Sequence, residues 1–246
     1  MAMNQKLLRP KASGKFYKSL RVNLQAYWRL DETAVSGNVS ALDSIGTNNL
    51  TSTNSVLSTT GLIGTGRNFT AASLQTLSVA DSAAAQFGDG DWCISLWHYT
   101  TTLTGNNDFV ISRCTANRGV IDYRIFRPGG NNSIRFYTTY TDGTGANLVD
   151  SSNSFVPNSW NFIAVSHNSG VVTIQLNGTR TTANRAAGKA FANTAGLLMY
   201  VGGEGSPAAA SGISGKLDEI CKWTRALSNT ELDVLYNAGA GINLNK

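Results

Sequence analysis

Cysteine, histidine and proline are scarce in this chain, at three, two and four residues out of 246. The cysteines, Cys93, Cys114 and Cys221, form no even set and show no metal-ligand spacing, which excludes a disulfide framework or a zinc site and predicts buried, reduced thiols. The histidines, His98 and His167, both fall in strand-like segments, so a Ser-His-Asp or metal-histidine centre has little to draw on and structural roles are expected. No stretch approaches the roughly 20 apolar residues that cross a bilayer, so no membrane span is expected. The opening residues lack the apolar core of a secretory signal, and synthesis in a cytoplasm is the expectation. Charge is thin as well: 14% of residues are charged, against about 25% in an average soluble domain.

The formal net charge of +5 is unevenly placed. Residues 1–21 hold six basic side chains and no acid, leaving fourteen basic against fifteen acidic residues in the rest. The chain therefore divides into a basic N-terminal arm, 1–21, and a nearly neutral domain, 22–246. The arm also carries Leu7, Leu8, Arg9, Lys11, Phe16 and Tyr17, a mixture of apolar and basic groups suited to anchoring on a protein partner.

What the chain has in abundance is short alternating segments separated by Gly, Asn, Ser and Thr. Trp160, Phe162 and Ala164 alternate with Asn161, Ile163 and Val165, a period of two that defines a strand. Val172, Ile174 and Leu176 do the same, and Asn177-Gly178 then supplies the positive φ angles of a two-residue hairpin turn. Further strands are predicted at 24–30, 92–100, 109–113, 122–127, 133–139 and 197–201. One helix is legible: Ser228 and Glu231 form a capping box, Leu232, Leu235 and Tyr236 share a face, and Gly239 provides the stop. Many strands with one helix predict a single all-β sandwich.

A sugar site needs an aromatic platform with planar hydrogen-bonding groups beside it. The hairpin from Asp122 to Tyr140 offers Arg124, Arg135, Tyr137 and Tyr140, with Ile125, Ile134 and Phe136 facing the core.

Five motifs in order carry a family resemblance. They are Ala26-Tyr27-Trp28-Arg29-Leu30-Asp31-Glu32, Trp92-Cys93-Ile94-Ser95-Leu96-Trp97, the strand from Ser159 to Ser166, the hairpin ending Leu176-Asn177-Gly178, and Gly215-Lys216-Leu217-Asp218-Glu219-Ile220-Cys221-Lys222-Trp223 running into Thr224-Arg225-Ala226-Leu227-Ser228. This succession resembles laminin-G-like domains of the concanavalin A-like lectin/glucanase superfamily. The resemblance implies an all-β, two-sheet antiparallel, jelly-roll-like β-sandwich, here with an N-terminal extended arm and one short C-terminal helix. It places Trp28, Trp92, Trp160 and Trp223 in the core. By motif position it also implies a structural Ca2+ held by Asp31, Asp43 and Asp218, with carbonyls near 46–48, although the Leu42–Asn49 loop departs from the family's Asp-Ser-Ser-Gly-Asn pattern.

Glycoside hydrolases of this fold carry a Glu-x-Asp-x-x-Glu strand. The nearest match, Glu231-Leu232-Asp233-Val234-Leu235-Tyr236, ends in Tyr and lies on the predicted helix, so no catalysis is expected. The segment Leu7-Leu8-Arg9-Pro10-Lys11-Ala12-Ser13-Gly14 is similar to leaders of phage-encoded proteins. The expectation is a non-enzymatic, homo-oligomeric virion surface protein, a capsid decoration or tail-associated adhesin. Its arm would contact other virion proteins and its sandwich host-surface glycans. A freestanding carbohydrate-binding lectin is the alternative.

Overall fold

The computed structural model describes residues 14–101, 103, 106–117, 119–205 and 211–245, with the backbone alone for 14–16. Along the chain run α1 (Gly14–Arg21), β1 (Leu24–Trp28), β2 (Thr51–Thr53), β3 (Leu57–Thr60), β4 (Thr65–Phe69), β5 (Thr76–Val79), β6 (Trp92–Thr100), β7 (Asp108–Cys114), β8 (Ile121–Arg127), β9 (Arg135–Thr139), β10 (Gly145–Asp150), β11 (Ser159–Asn168), β12 (Val171–Leu176), β13 (Thr179–Asn184), β14 (Leu198–Val201), β15 (Gly215–Trp223) and α2 (Asn229–Tyr236). They build two antiparallel sheets. One has the order β13-β12-β11-β6-β15-β4-β3 with β1 also on β15; the other is β10-β9-β8-β7-β14-β5-β2. The fold expected from the sequence is the fold observed.

The alternation that marks the strands also divides their side chains between two cores. Trp92, Ile94 and Leu96 of β6 point between the sheets with Ile163, Val165, Ile174, Tyr123 and Phe136. Cys93 and Trp97 point the other way, into a second cluster with Tyr27, Phe162, Trp223, Leu232 and Leu235. Because α1, α2 and the C-terminal segment cover that outer face, β6, β11 and β15 are apolar on both sides, as strands buried on both faces must be. Three of the four core tryptophans are buried as expected; Trp160 is half-buried and sits 5.6 Å from Tyr99 at the rim. All three cysteines are free and buried.

Local signals set the turns. Asn177 and Gly178 have φ of 50° and 85°, as the hairpin needs. Ser228 and Glu231 make both halves of the capping box, and α2 ends with Asn237 in the left-handed region, two residues before Gly239. At the acidic pair the alternation of β15 breaks: Glu219 has φ 50° and the register against β6 shifts between Asp218 and Cys221. This bulge lets β15 exchange its neighbour, with β4 on 215–217 and β1 on 220–223.

Over residues 14–21 the expectation of an extended arm is corrected. Residues 14–21 form α1, whose Leu20 is fully buried in the second core beside Tyr17. Two side chains cap its C-terminal carbonyls: Trp223 Nε1 donates to Leu20 O (2.6 Å), and Arg225 donates to Ser19 O (2.7 Å) and Val22 O (2.9 Å). Lys18 and Arg21 in the last turn suit the helix dipole. Tyr17 therefore packs on its own domain. The other proposed anchors, Leu7, Leu8, Arg9 and Lys11, lie outside the described residues, as does the side chain of Phe16.

Candidate functional site

The outer face of the second sheet is built around buried charge. Tyr123, Ile125 and Phe136 enter the inter-sheet core, which turns Asp122, Arg124, Arg135 and Tyr137 to the opposite face. Arg113 on β7 and Asp122 on β8 are both fully buried and joined at 2.6 Å. A buried charge is tolerable only when paired and fully hydrogen-bonded, and here the pairing organises a loop. Arg113 donates to Asn193 Oδ1 (2.7 Å), Thr194 O (2.8 Å) and Asp81 (2.6 Å), while Asp122 accepts from Thr194 N (2.9 Å) and Thr194 Oγ1 (2.8 Å). The loop at 192–194 is thereby fastened to the sheet.

That loop forms one wall of an open groove of about 580 Å³, with Tyr137, Thr139, Thr141 and the 119–122 turn among the other walls. The volume lies in the ~300–1,000 Å³ range of small-molecule sites. The groove offers a half-buried aromatic ring, Tyr137, and exposed amide and hydroxyl groups, Asn193, Thr194 and Thr141. Since the guanidinium of Arg113 can only donate, it claims the Asn193 oxygen and leaves the NH2 end for a ligand. Gly145 also shapes the wall: a Cβ there would lie 2.0 Å from Tyr137 Oη, so the ring can take its place only against glycine.

The four residues expected at a glycan site are thus treated differently. Tyr137 is the accessible ring. Tyr140 lines the groove but is 4% exposed, stacked on Phe191 at 6.0 Å and 9°, and belongs to the core rather than to a platform. Arg124 lies over Phe109 (4.9 Å) and Tyr137 (5.9 Å) and pairs with the buried Glu204. Arg135 makes a bidentate pair with Asp150 (2.7 Å each). Neither arginine is a groove wall; Arg124 lies over one face of the Tyr137 ring.

The three proposed calcium ligands do not form one shell. Asp43 accepts Tyr27 N (3.0 Å), Ile45 N (3.2 Å), Asn48 N (3.2 Å) and Asn48 Nδ2 (3.0 Å), which commits both of its oxygens. Asp218 accepts Leu62 N (2.8 Å), Ile63 N (2.9 Å) and Glu219 N (2.9 Å); Asp31 accepts Thr65 N (2.9 Å) and pairs with Arg29. Together Asp31 and Asp218 clamp the loop 61–65, whose Gly61 and Gly64 leave room for the carboxylates. Among the described residues no three His, Cys, Asp or Glu side chains are grouped to hold a metal. As placed, these carboxylates act as staples that hold their loops through backbone N–H groups.

Burial pushes the Asp218 carboxyl up to about 7, with the nearby Asp31 charge adding to it. It pushes Glu219 up to about 8, where the Tyr27 hydroxyl bond offsets part of the effect and the Asp218 charge adds to it. Both are buried, and Glu219 is bonded to Tyr27 Oη away from the groove. The two acids of the near-match are structural: Glu231 caps α2 and pairs with Arg225 (2.7 Å), and Asp233 pairs with Arg180. Both histidines are buried. His167 donates from Nδ1 to Gly90 O (2.9 Å) and accepts Gly170 N at Nε2 (2.9 Å), which sets its tautomer. Burial and the Arg127 charge push His98 down to about 3.

Residues 73–233 match the Laminin_G_3 family model, described as the concanavalin A-like lectin/glucanases superfamily. The chain belongs to this family. No curated protein matches it. Among solved structures, this laminin-G-like domain is similar to the binding domain of Paraclostridial Mosquitocidal Protein 1, at TM-score 0.68 and 15% identity, over 89% of this chain and 53% of that one. It is similar to domain 4 of AbnA, a GH43 extracellular arabinanase from Geobacillus stearothermophilus, in complex with arabinotriose, at TM-score 0.63 and 16% identity, over 89% and 98%. It is also similar to a Trypanosoma rangeli sialidase at TM-score 0.62 and 11% identity, over 90% of this chain and 34% of the sialidase. The domain thus spans about half of the toxin domain it matches and nearly all of the arabinanase domain. At these identities the likeness is one of fold.

Arg113, Asp122 and Asn193 were not among the candidates drawn from the sequence. The available signal was an arginine inside the apolar run Phe109-Val110-Ile111-Ser112-Arg113 facing an acid at the start of the next strand, opposite charges on neighbouring strands.

Proposed function

We propose that this laminin-G-like domain is a non-catalytic binding module for carbohydrate, with its ligand in the groove beside Tyr137. The observation that carries the proposal is the construction of that groove. A ring and a fixed amide flank open space, and the one carboxylate on its lining among the described residues, Asp122, is fully engaged by Arg113 and Thr194. Glycoside hydrolysis needs two carboxyl groups flanking the bond to be broken. A lectin needs the stacking surface and the hydrogen-bonding rim. The arabinotriose bound by an arabinanase domain of the same fold supports this reading.

The finer proposal places the module on a virion surface as a self-associating capsid decoration protein or tail-associated adhesin. It rests on the leader-like, basic N-terminal segment. Because α1 is part of the folded domain, the anchoring test is deletion of residues 1–13, not 1–21. Loss of incorporation into particles with the fold intact supports a virion anchor; unchanged incorporation sinks it. No helix among the described residues is long and apolar enough to cross a membrane. For the binding function, a glycan array probed with wild type and Tyr137→Ala is decisive. A saccharide bound by the first and lost by the second is the expected result, and release of reducing ends would overturn the non-catalytic assignment.

A further inference from the structure

A second open groove, of about 450 Å³, has Asp89, Asp91 and Trp92 on its lining and shares Asn193 with the first. Asn193 is therefore the common wall of two cavities, each large enough for a small ligand on its own. Most of the charges around them are already matched. Arg113 is held by Asp122 and Asp81, Arg124 by Glu204, Arg185 by Asp89 and Lys189 by Asp142. Lys222, on the lining of the second groove, is 1% exposed; it donates to Trp223 O (2.9 Å) and lies over the Phe87 ring at 4.9 Å. Asp91 is exposed, accepts Ser169 N (2.9 Å) and has no basic partner among the described residues. An acidic sugar would meet that carboxylate, while the one unpaired cation on the lining among the described residues, Lys222, is only 1% exposed and turned onto a carbonyl and the Phe87 ring. A neutral sugar would find an acceptor for its hydroxyl groups, and charge-assisted hydrogen bonds of this kind are the stronger ones.

We propose that one neutral oligosaccharide lies across both grooves, with Asn193 at the step between its sugar units and Asp91 as the group that selects against acidic glycans. The inference rests on the carbohydrate reading above and adds the length and the charge class of the ligand.

The test is calorimetric titration of the full chain with neutral gluco-, manno- and arabino-oligosaccharides of one to six units, and with galacturonate oligomers of the same lengths. Affinity is expected to rise about tenfold or more between one and four units for the preferred neutral series, with uronate oligomers weaker by a similar factor. Asn193→Ala should remove most of the gain with length and flatten the series toward its single-unit value. Asp91→Asn, on an exposed side chain, should narrow the gap between neutral and acidic series. Affinity independent of length overturns the two-groove ligand, and preference for the uronates overturns the charge assignment. Should Asn193→Ala fail to fold, the length series and Asp91→Asn still decide. Absence of binding to any saccharide overturns the carbohydrate reading itself, an outcome distinct from flat length dependence.

Discussion

Replacing Leu20 by alanine tests whether α1 is an integral part of the domain. Leu20 is fully buried in the cluster that also holds Trp223, Leu232 and Leu235, and its carbonyl accepts the Trp223 indole N–H. Leu→Ala in a packed core costs about 2–5 kcal/mol through lost transfer energy and the cavity left behind. An eight-residue helix has little stability of its own, so α1 can also detach rather than tolerate the cavity. Detachment would forfeit the Leu20 burial, about 1.5–3 kcal/mol, and the indole hydrogen bond, about 1 kcal/mol net, while recovering chain entropy. Both routes converge on a loss of about 3 kcal/mol. At about 2–4 °C per kcal/mol for a domain of this size, the midpoint should drop by about 6–12 °C. Urea unfolding followed by tryptophan fluorescence measures the loss directly, with Lys18→Ala on the exposed side of the same helix as the control, expected within about 0.5 kcal/mol. A Leu20→Ala cost below about 1 kcal/mol would refute the claim that α1 belongs to the folded unit.

Three further outcomes are expected. Glu219 has a folded-state pKa of about 8 against an ordinary 4.5, so the native state binds the proton more tightly than the unfolded chain; its contribution to stability is greatest at acidic pH and is lost as pH rises from about 4.5 to 8. Glu219→Gln should therefore gain stability relative to wild type across that window. Equal pH dependence of the two proteins in urea titrations at pH 5, 6, 7 and 8 would contradict it; the difference between them removes the His98 contribution and reports Glu219 together with its coupling to Asp218. Gly145→Ala should push the Tyr137 hydroxyl aside and weaken saccharide binding by about tenfold, with a melting temperature within about 2 °C of wild type because the displaced atom is the end of a side chain; unchanged affinity would remove Tyr137 from the site. Calcium at about 5 mM, compared with excess chelator, should leave the melting temperature within about 1 °C, since Asp43 and Asp218 are already engaged by backbone N–H groups; a calcium-dependent rise of several degrees would show that the loops reorganise around a cation.

Sequence alone determined the elements whose signals are local. The β6 span at 92–100 follows from the sequence residue for residue, β11 and β12 follow from their period of two, the turn after β12 from Asn177-Gly178, and the start of α2 from Ser228 and Glu231. These features depend on neighbours within a few positions, and the order of five such motifs specified the family fold. Edge strands carry no such signal: β2 reads Thr-Ser-Thr and β13 reads Thr-Arg-Thr-Thr-Ala-Asn, and each is a strand only because a neighbour offers it a ladder. Helix α1 is the same case, eight residues ordered by docking on Trp223 and Arg225 more than 200 positions away. The groove belongs wholly to the tertiary level, because its walls come from the 119–122, 137–143 and 192–194 segments and are set by Arg113 reaching Asn193, 80 positions on. Composition could name Tyr137 as a surface ring; only the packed sheets decide that Tyr140 turns inward onto Phe191, since neighbours distant in sequence determine which polar and aromatic side chains reach solvent.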